Sequence, residues 1–299
     1  MAKQLQRYGV YAAVAALLLF NAVFTDNFLE PANLRTQLVQ MAPVLIVALG
    51  MALVIGTEGI DLSVGSVMAL AAAVVPLYLG FGVWPAVLMA LLAGATVGLA
   101  NGAMVALVGL QPIVATLALL VAGRGIALVI ADGRLKQIKN QELLQLGTPA
   151  VIVLIAGVLA VVVGVVVHRT TYGRQLVAIG GNRAAASLAG LPVRRVLIVT
   201  YVICGLLAAL GGVLATARLT ASDPSSIGNL MELSAITAVV VGGTPLSGGR
   251  VRVLGTVAGA LLMQLLRATL IKHDLPDSAA QMVQAAIILV AVYIARGKK

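Results

Sequence analysis

Ten apolar runs, most of them close to 20 residues long, follow one another along this chain and limit what it can fold into. They fall at about 8 to 24, 41 to 57, 64 to 80, 84 to 108, 112 to 131, 149 to 168, 196 to 217, 232 to 244, 253 to 271 and 279 to 295. At about 1.5 Å of rise per residue, a helix of about 20 residues crosses the roughly 30 Å hydrocarbon core of a bilayer. Lipid offers no partner to an exposed backbone N–H or C=O, so a helix is the form such runs must take. They are continuously apolar where a barrel strand would alternate, which excludes a β-barrel. The expected fold is all-α, a polytopic membrane helix bundle of about ten transmembrane helices in a single domain, residues 1–299.

Composition agrees, with 61% hydrophobic and 10% charged residues, against roughly 25% charged in soluble domains. A net charge of +10 would point to nucleic acid in a soluble protein, but here the basic residues sit mainly in short loops. Membrane topology explains them, and no nucleic-acid partner is expected. With the N-terminus in the cytoplasm, twelve of the 20 Lys and Arg residues fall inside and six outside, and the even number of spans puts the C-terminus inside too. Lys3, Arg7 and the run Tyr8 to Phe24 imitate a signal peptide, yet Thr25-Asp26-Asn27 offers no small-x-small cleavage site. A retained first helix is expected.

Several chemistries are excluded. Cys204 is the single cysteine and lies in an apolar run, so neither an intrachain disulfide nor a thiolate cluster can form. His168 and His273 sit at opposite faces, which leaves no His-based metal site. No P-loop, G-x-S-x-G or H-E-x-x-H pattern occurs. Energy for any transport must come from another chain or an ion gradient, and no cofactor is expected in this chain.

The longest polar interruption runs from His168 to Val196 and carries Arg169, Arg174, Arg183, Arg194 and Arg195 with no acid. Gly180-Gly181 reads as a turn and Asn182 as an N-cap; Arg183 to Ala189 forms a short Ala-rich helix, Gly190 suits the left-handed residue after it, and Leu191 and Pro192 close it. Such a helix is marginal alone in water and needs something to dock into. A cytoplasmic protein and an anionic lipid surface suit it equally. Its candidate residues are Gly181, Asn182, Arg183, Ala184, Ala185, Ala186, Ser187, Leu188 and Gly190, within a docking loop over 169–195.

Polar residues near or inside the spans are the other candidates. Gly94, Gly98 and Gly102 line one helix face and should let another helix approach closely. Asn101 beside them is either interhelical glue or part of a polar path. Arg124 lies seven residues from the outer end of its span, too deep for easy snorkelling, and is expected to pair with Glu232. Arg267, nearer its outer end, is expected to snorkel. Between the second and third spans, Asp61 or Ser63 either caps the next helix or joins Glu58 in an inner gate. Glycines at 242, 243, 248 and 249 mark the short eighth span as broken or re-entrant. VIGTEGIDLSVGSV from Val54 and VVGGTPLSGGRV from Val240 echo each other, a weak sign of an internal repeat.

GIDLSVGSV at Gly59 to Val67, QPIVATL at Gln111 to Leu117, GRG at Gly123 to Gly125, YGRQLVAIGGNRAAASLAGLPV at Tyr172 to Val193 and ELSAITAVVVGGTPLSGG at Glu232 to Gly249 together cover nearly the whole chain in order. They resemble the ribose, xylose and galactofuranose permeases of bacterial ABC sugar importers. The resemblance implies a type II-like importer permease in the bacterial inner membrane. Two permeases, copies or paralogues, would sit in membrane lipid on two ATP-binding subunits, which hold ATP and magnesium, fed by a periplasmic or lipid-anchored sugar-binding protein. Asn182 to Leu191 would then dock into the ATPase. Two residues depart from the pattern: Glu58 stands where a small neutral residue is usual, and Ser234 where an Asp often follows Glu-Leu. The outer loop Ala131 to Thr148 is also short for the family. Transport would be by alternating access with no tight sugar site in the membrane, selectivity residing in the binding protein. The competing readings are the same machinery for nucleosides or branched-chain amino acids, and a secondary carrier, which would need membrane acids that this chain scarcely has.

Overall fold

Each apolar run becomes a helix in the computed structural model, which describes residues 2–296. The chain runs through α1 (Ala2–Phe24), α2 (Pro31–Gly56), α3 (Val64–Tyr78) with a 3-10 turn at Leu79–Phe81, and α4 (Val83–Ala103), which widens into a π turn at Met104–Val108. It continues through α5 (Pro112–Ile130), strand β1 (Lys136–Gln137), α6 (Gln141–Leu146), α7 (Pro149–Arg169), α8 (Thr171–Gly181) and α9 (Arg183–Leu188). The last part holds α10 (Val193–Leu219), strand β2 (Ala221–Ser222), α11 (Met231–Val241), α12 (Val253–Lys272) and α13 (Asp277–Arg296). Among the described residues, seven helices are long and apolar enough to cross a membrane: α2, α3 with its 3-10 turn, α4 with its π turn, α5, α7, α10 and α12. The first, eighth and tenth runs correspond to α1, the 11-residue α11 and α13.

Two elements differ from expectation. First, α2 starts at Pro31 instead of residue 41, with the proline in the first turn, where its missing N–H costs nothing. The added turns carry Asn33, Gln37 and Gln40, which an apolar run does not include. Gln264 of α12 reaches them in the bundle, donating to Gln37 Oε1 at 2.9 Å and Gln40 Oε1 at 2.8 Å, while Gln37 donates to Asn33 Oδ1 at 3.1 Å. Second, Thr171–Gly181 is a helix, and Gly180-Gly181 is its last turn rather than a bend.

The core lies where α2, α3 and α10 meet. α2 is buried on every side from Met41 to Gly56 but for Val44, so its apolar residues have no polar face to alternate with. α5 and α7 instead show most of their apolar surface outward, as lipid-facing helices must. α4 packs on α10 through Gly94, Gly98 and Gly102, where a Cβ would strike the backbone of α10 near Gly205, Tyr201 and Ile198. Backbones this close gain dispersion contacts that lipid tails cannot match.

Candidate functional site

At one end of α7 the chain builds a projecting hairpin of two short helices. Thr170 Oγ1 accepts from the Gly173 N–H at 3.2 Å to start α8, and Asn182 Oδ1 accepts from the Ala185 N–H at 2.9 Å to start α9. Gly190 at φ +77° closes α9, with its N–H on Ser187 O and the Leu191 N–H on Ala186 O, both at 3.0 Å. Ala186 is buried and anchors the hairpin, whereas Gly181, Asn182, Arg183, Ala184, Ala185, Ser187, Leu188 and Gly190 are all exposed. Leu188 is 91% exposed, an apolar side chain held out at the end of α9.

α8 joins this stub to the helix ends behind it. Gly180 sits so close that a Cβ would overlap the Gly56 carbonyl at the end of α2 and crowd the Gly249 backbone. The Gly249 N–H donates to that same Gly56 carbonyl at 3.1 Å, and the Arg252 N–H donates to Thr244 Oγ1 at 3.0 Å. The irregular segment after α11, residues 242–252, is thus tied down by backbone contacts, with Gly242, Thr244, Gly248 and Val251 buried and Ser247 and Arg250 exposed. It turns on glycines 243, 248 and 249, all with positive φ. The two echoing segments lie side by side here, but not in one register. In the first, left-handed Glu58 follows Gly-Thr; in the second, the left-handed residue is Gly243 of the Gly-Thr pair.

Of the four candidate gate residues only Glu58 is exposed. Asp61, Ser63 and Asn101 are sealed inside. Asp61 Oδ1 accepts from the Ser63 N–H at 2.9 Å and the Ser63 hydroxyl at 2.6 Å, which makes a turn before α3 and leaves the helix without a side-chain cap. Asn101 Nδ2 donates to Ser63 Oγ at 2.8 Å and reaches Asp61 Oδ1 at 3.4 Å, tying α4 to this turn. Burial pushes the Asp61 carboxyl above the ordinary carboxylate range, against the lowering effect of the Ser63 hydrogen bonds.

Arg124 does not hydrogen-bond Glu232. Its Nη1 donates to the carbonyls of Pro224 and Ile227, both at 2.8 Å, in the segment between β2 and α11. Carbonyls at a chain reversal have spare lone pairs, and a membrane cation satisfies them while being satisfied itself. Glu232 remains near enough to act on Arg124 electrostatically, with its Oε2 buried against Gly65 and making no hydrogen bond. The held segment is further shaped by Asp223, which accepts from the Ser225 and Ser226 hydroxyls and whose carboxyl they pull below its usual range. β2 pairs antiparallel with β1 at Lys136↔Ser222 and Gln137↔Ala221, so the loop expected over 131–148 is pinned to it.

On this same side a cavity of about 290 Å³ opens among α2, α11, α12 and α13. Its polar lining comes from Asn229, Ser234, Gln264, Arg267 and Gln281. Gln264, with Gln37 and Gln40, was not among the sequence candidates. The signal for it was three glutamines near or inside runs where no amide is needed for solubility. A second missed set, Asn21, Thr25 and Thr269, bonds α1 to α12, with Asn21 Nδ2 donating to Thr269 Oγ1 at 2.7 Å. A second cavity of about 300 Å³ lies at the α8–α9 end, bounded by Glu58, Gly59, Gln111, Arg183 and Tyr201 among others.

Comparison with known proteins adds what geometry alone does not. Residues 33–292 match the family model described as branched-chain amino acid transport system / permease component. The chain is 39% identical to the fructose import permease of Bifidobacterium longum, over 86% of this chain and 75% of that protein. It is 36% identical to the ribose import permease of Bacillus subtilis, over 98% and 94%. With the galactofuranose transporter permease of Escherichia coli it shares 38% identity, over 85% and 76%. No solved structure matches.

Proposed function

The chain belongs to the family of branched-chain amino acid transport system permease components, and from that premise we propose that it is the membrane subunit of an ATP-driven importer for a sugar. Support for a sugar comes from the relatives, which are fructose, ribose and galactofuranose permeases. Support for an ATPase partner comes from α9, a capped stub that carries Leu188 at 91% exposure. A partner groove would cover that leucine, and this single observation carries the docking role. Arg183 and the exposed face from Gly181 to Gly190 make the rest of the contact. The other partners are a second permease copy or paralogue, surrounding lipid and a sugar-binding protein on the outer side. Both termini and α9 lie on the cytoplasmic side of a bacterial inner membrane. ATP and magnesium are held by the ATPase subunits.

The mechanism follows from what α9 is attached to. Closure of the ATPases on ATP moves α9, and α8 passes the movement to the end of α2 and to the segment that follows α11 through backbone contacts at Gly56, Gly180 and Gly249. Those contacts have no side chains to yield, so displacement is transmitted with little loss. The middle of α2, at Val44, and the opposite end of α11, at Leu233 and Ser234, flank the 290 Å³ outer cavity. Rocking these helices exposes that cavity to the outside or withdraws it, which is alternating access. Asn229, Ser234 and Gln264 offer a passing sugar hydroxyl-matching groups without a full set of charges to hold it. The test is reconstitution in liposomes with the copurifying ATPase and binding protein. Sugar uptake that requires ATP is expected; uptake independent of ATP and of any ATPase would overturn the reading.

A further inference from the structure

Apart from Arg183, which the docking face shares, the 300 Å³ cavity at the α8–α9 end holds features that the transport reading leaves unused. At its floor Tyr201 is completely buried, and its hydroxyl has no hydrogen-bond partner. That hydroxyl reaches the wall through the space left by Gly59, where a Cβ would stand 2.7 Å from it. At the lip stands Glu58, exposed and held at φ +65°, a left-handed conformation that non-glycine residues adopt at a cost. The wall includes Val105, within the π turn Met104–Val108, an irregularity that recurs at functional sites. Arg183, the first residue of α9, closes the other side and is near enough to Tyr201 to act on it electrostatically. A buried hydroxyl left unpaired costs free energy, which a ligand or water would recover.

We propose that this cavity is a cytoplasm-facing site for a small neutral polyol, a monosaccharide of the transported class, and that an occupant there restrains α9. The inference rests on the transport reading, which sets the side of the membrane and the ligand class. The cavity volume lies at the small end for ligand pockets, enough for one sugar ring. Its chemistry fits a polyol: the Glu58 carboxylate accepts from hydroxyls, the Arg183 guanidinium donates, and the Gln111 amide and Tyr201 hydroxyl do both. Pro112 and Leu197 offer an apolar face to the C–H side of a ring. A ligand that bridges Glu58 and Arg183 ties the end of α2 to the start of α9. Sugar accumulated inside would then slow the cycle that imported it.

The decisive variant is Tyr201→Phe, which removes only the unpaired hydroxyl and should leave stability unchanged or raised. Saturation-transfer NMR on the purified permease in nanodiscs, with D-ribose and D-fructose as probes, is expected to show transfer that falls about fivefold in Tyr201→Phe, the worth of one hydrogen bond. Gln111→Ala should weaken it similarly. In liposomes of the assembled importer, sugar sealed on the α9 side should lower ATP hydrolysis in the wild type and lower it less in Tyr201→Phe. No transfer to the wild type, or equal transfer to both, means that the cavity holds water only and overturns the site. If the wild-type importer takes up no sugar at all, the transport reading has failed instead, whatever the NMR shows.

Discussion

The two ends of the helix bundle are held by opposite means. At the α8–α9 end the backbone itself is the mortar: Gly56, Gly180 and Gly249 meet with no side chains between them, and short-range caps at Thr170 and Asn182 shape the rest. At the other end the order comes from reach, with Arg124 of α5 holding carbonyls about a hundred residues away at Pro224 and Ile227. Backbone contact makes a stiff joint and a long side chain makes a tether. The difference would suit the cycle proposed above, with drive at one end and opening at the other.

The stiff joint should break most completely. Gly180→Leu places a side chain where the Gly56 carbonyl already sits, and the backbone on both sides has nowhere to go. A loss of about 3 kcal/mol, the upper end for overpacking, is expected. The readout is the unfolding temperature in detergent and the monodisperse fraction on size exclusion. A Gly180→Leu protein as stable as the wild type would show that the joint is softer than its geometry.

The tether should fail more quietly. Arg124→Met gives up two charge-assisted hydrogen bonds, each worth about 1.5–3 kcal/mol, but also removes a charge that is expensive within a membrane span. A net loss of about 2 kcal/mol follows from those opposing effects. The sharper signature is local: backbone hydrogen exchange over residues 223–231 should rise while residues 171–190 are unchanged. Equal change at both ends would erase the contrast between joint and tether.

A third substitution separates holding from docking. Leu188→Ala should leave stability within about 0.5 kcal/mol, since the side chain touches almost nothing in the free permease. In the assembled importer it should weaken ATPase attachment about tenfold, as loss of a central apolar anchor does. Unaltered attachment would move the anchor from Leu188 to Arg183 and its neighbours.

How much of this was legible in the sequence follows the same division. The ten apolar runs and the α9 caps are local signals, and they stand in the structure close to where the pattern puts them, except that α1 and α2 begin well before their runs, at Ala2 and Pro31. The glycines of α4 were readable as a close-approach face because they repeat every four residues. Gly180-Gly181 was misread as a turn, since glycine permits both a turn and a close approach and only the partner strand of backbone decides. The partners of Arg124 were out of reach for a different reason: its need for partners is evident from its depth, but carbonyls carry no sequence signature. The Gln37, Gln40 and Gln264 set was missed because counting apolar residues discards the amides that join two helices.

The smallest effect tests whether α9 is a rigid stub at all. Asn182→Ala removes the cap on the Ala185 N–H and should cost about 1 kcal/mol, whereas Asn182→Asp keeps an acceptor there and should cost far less. A helix of six residues has almost no cooperativity of its own to absorb such a loss. The effect should therefore be fraying of α9 alone, seen as faster hydrogen exchange at residues 184–189 with the membrane helices unaltered. If α9 frays in Asn182→Ala and ATPase attachment weakens in proportion, preorganisation of the stub contributes to docking. If it frays without consequence, the partner groove folds α9 on contact, and stiffness at this end begins at Gly180.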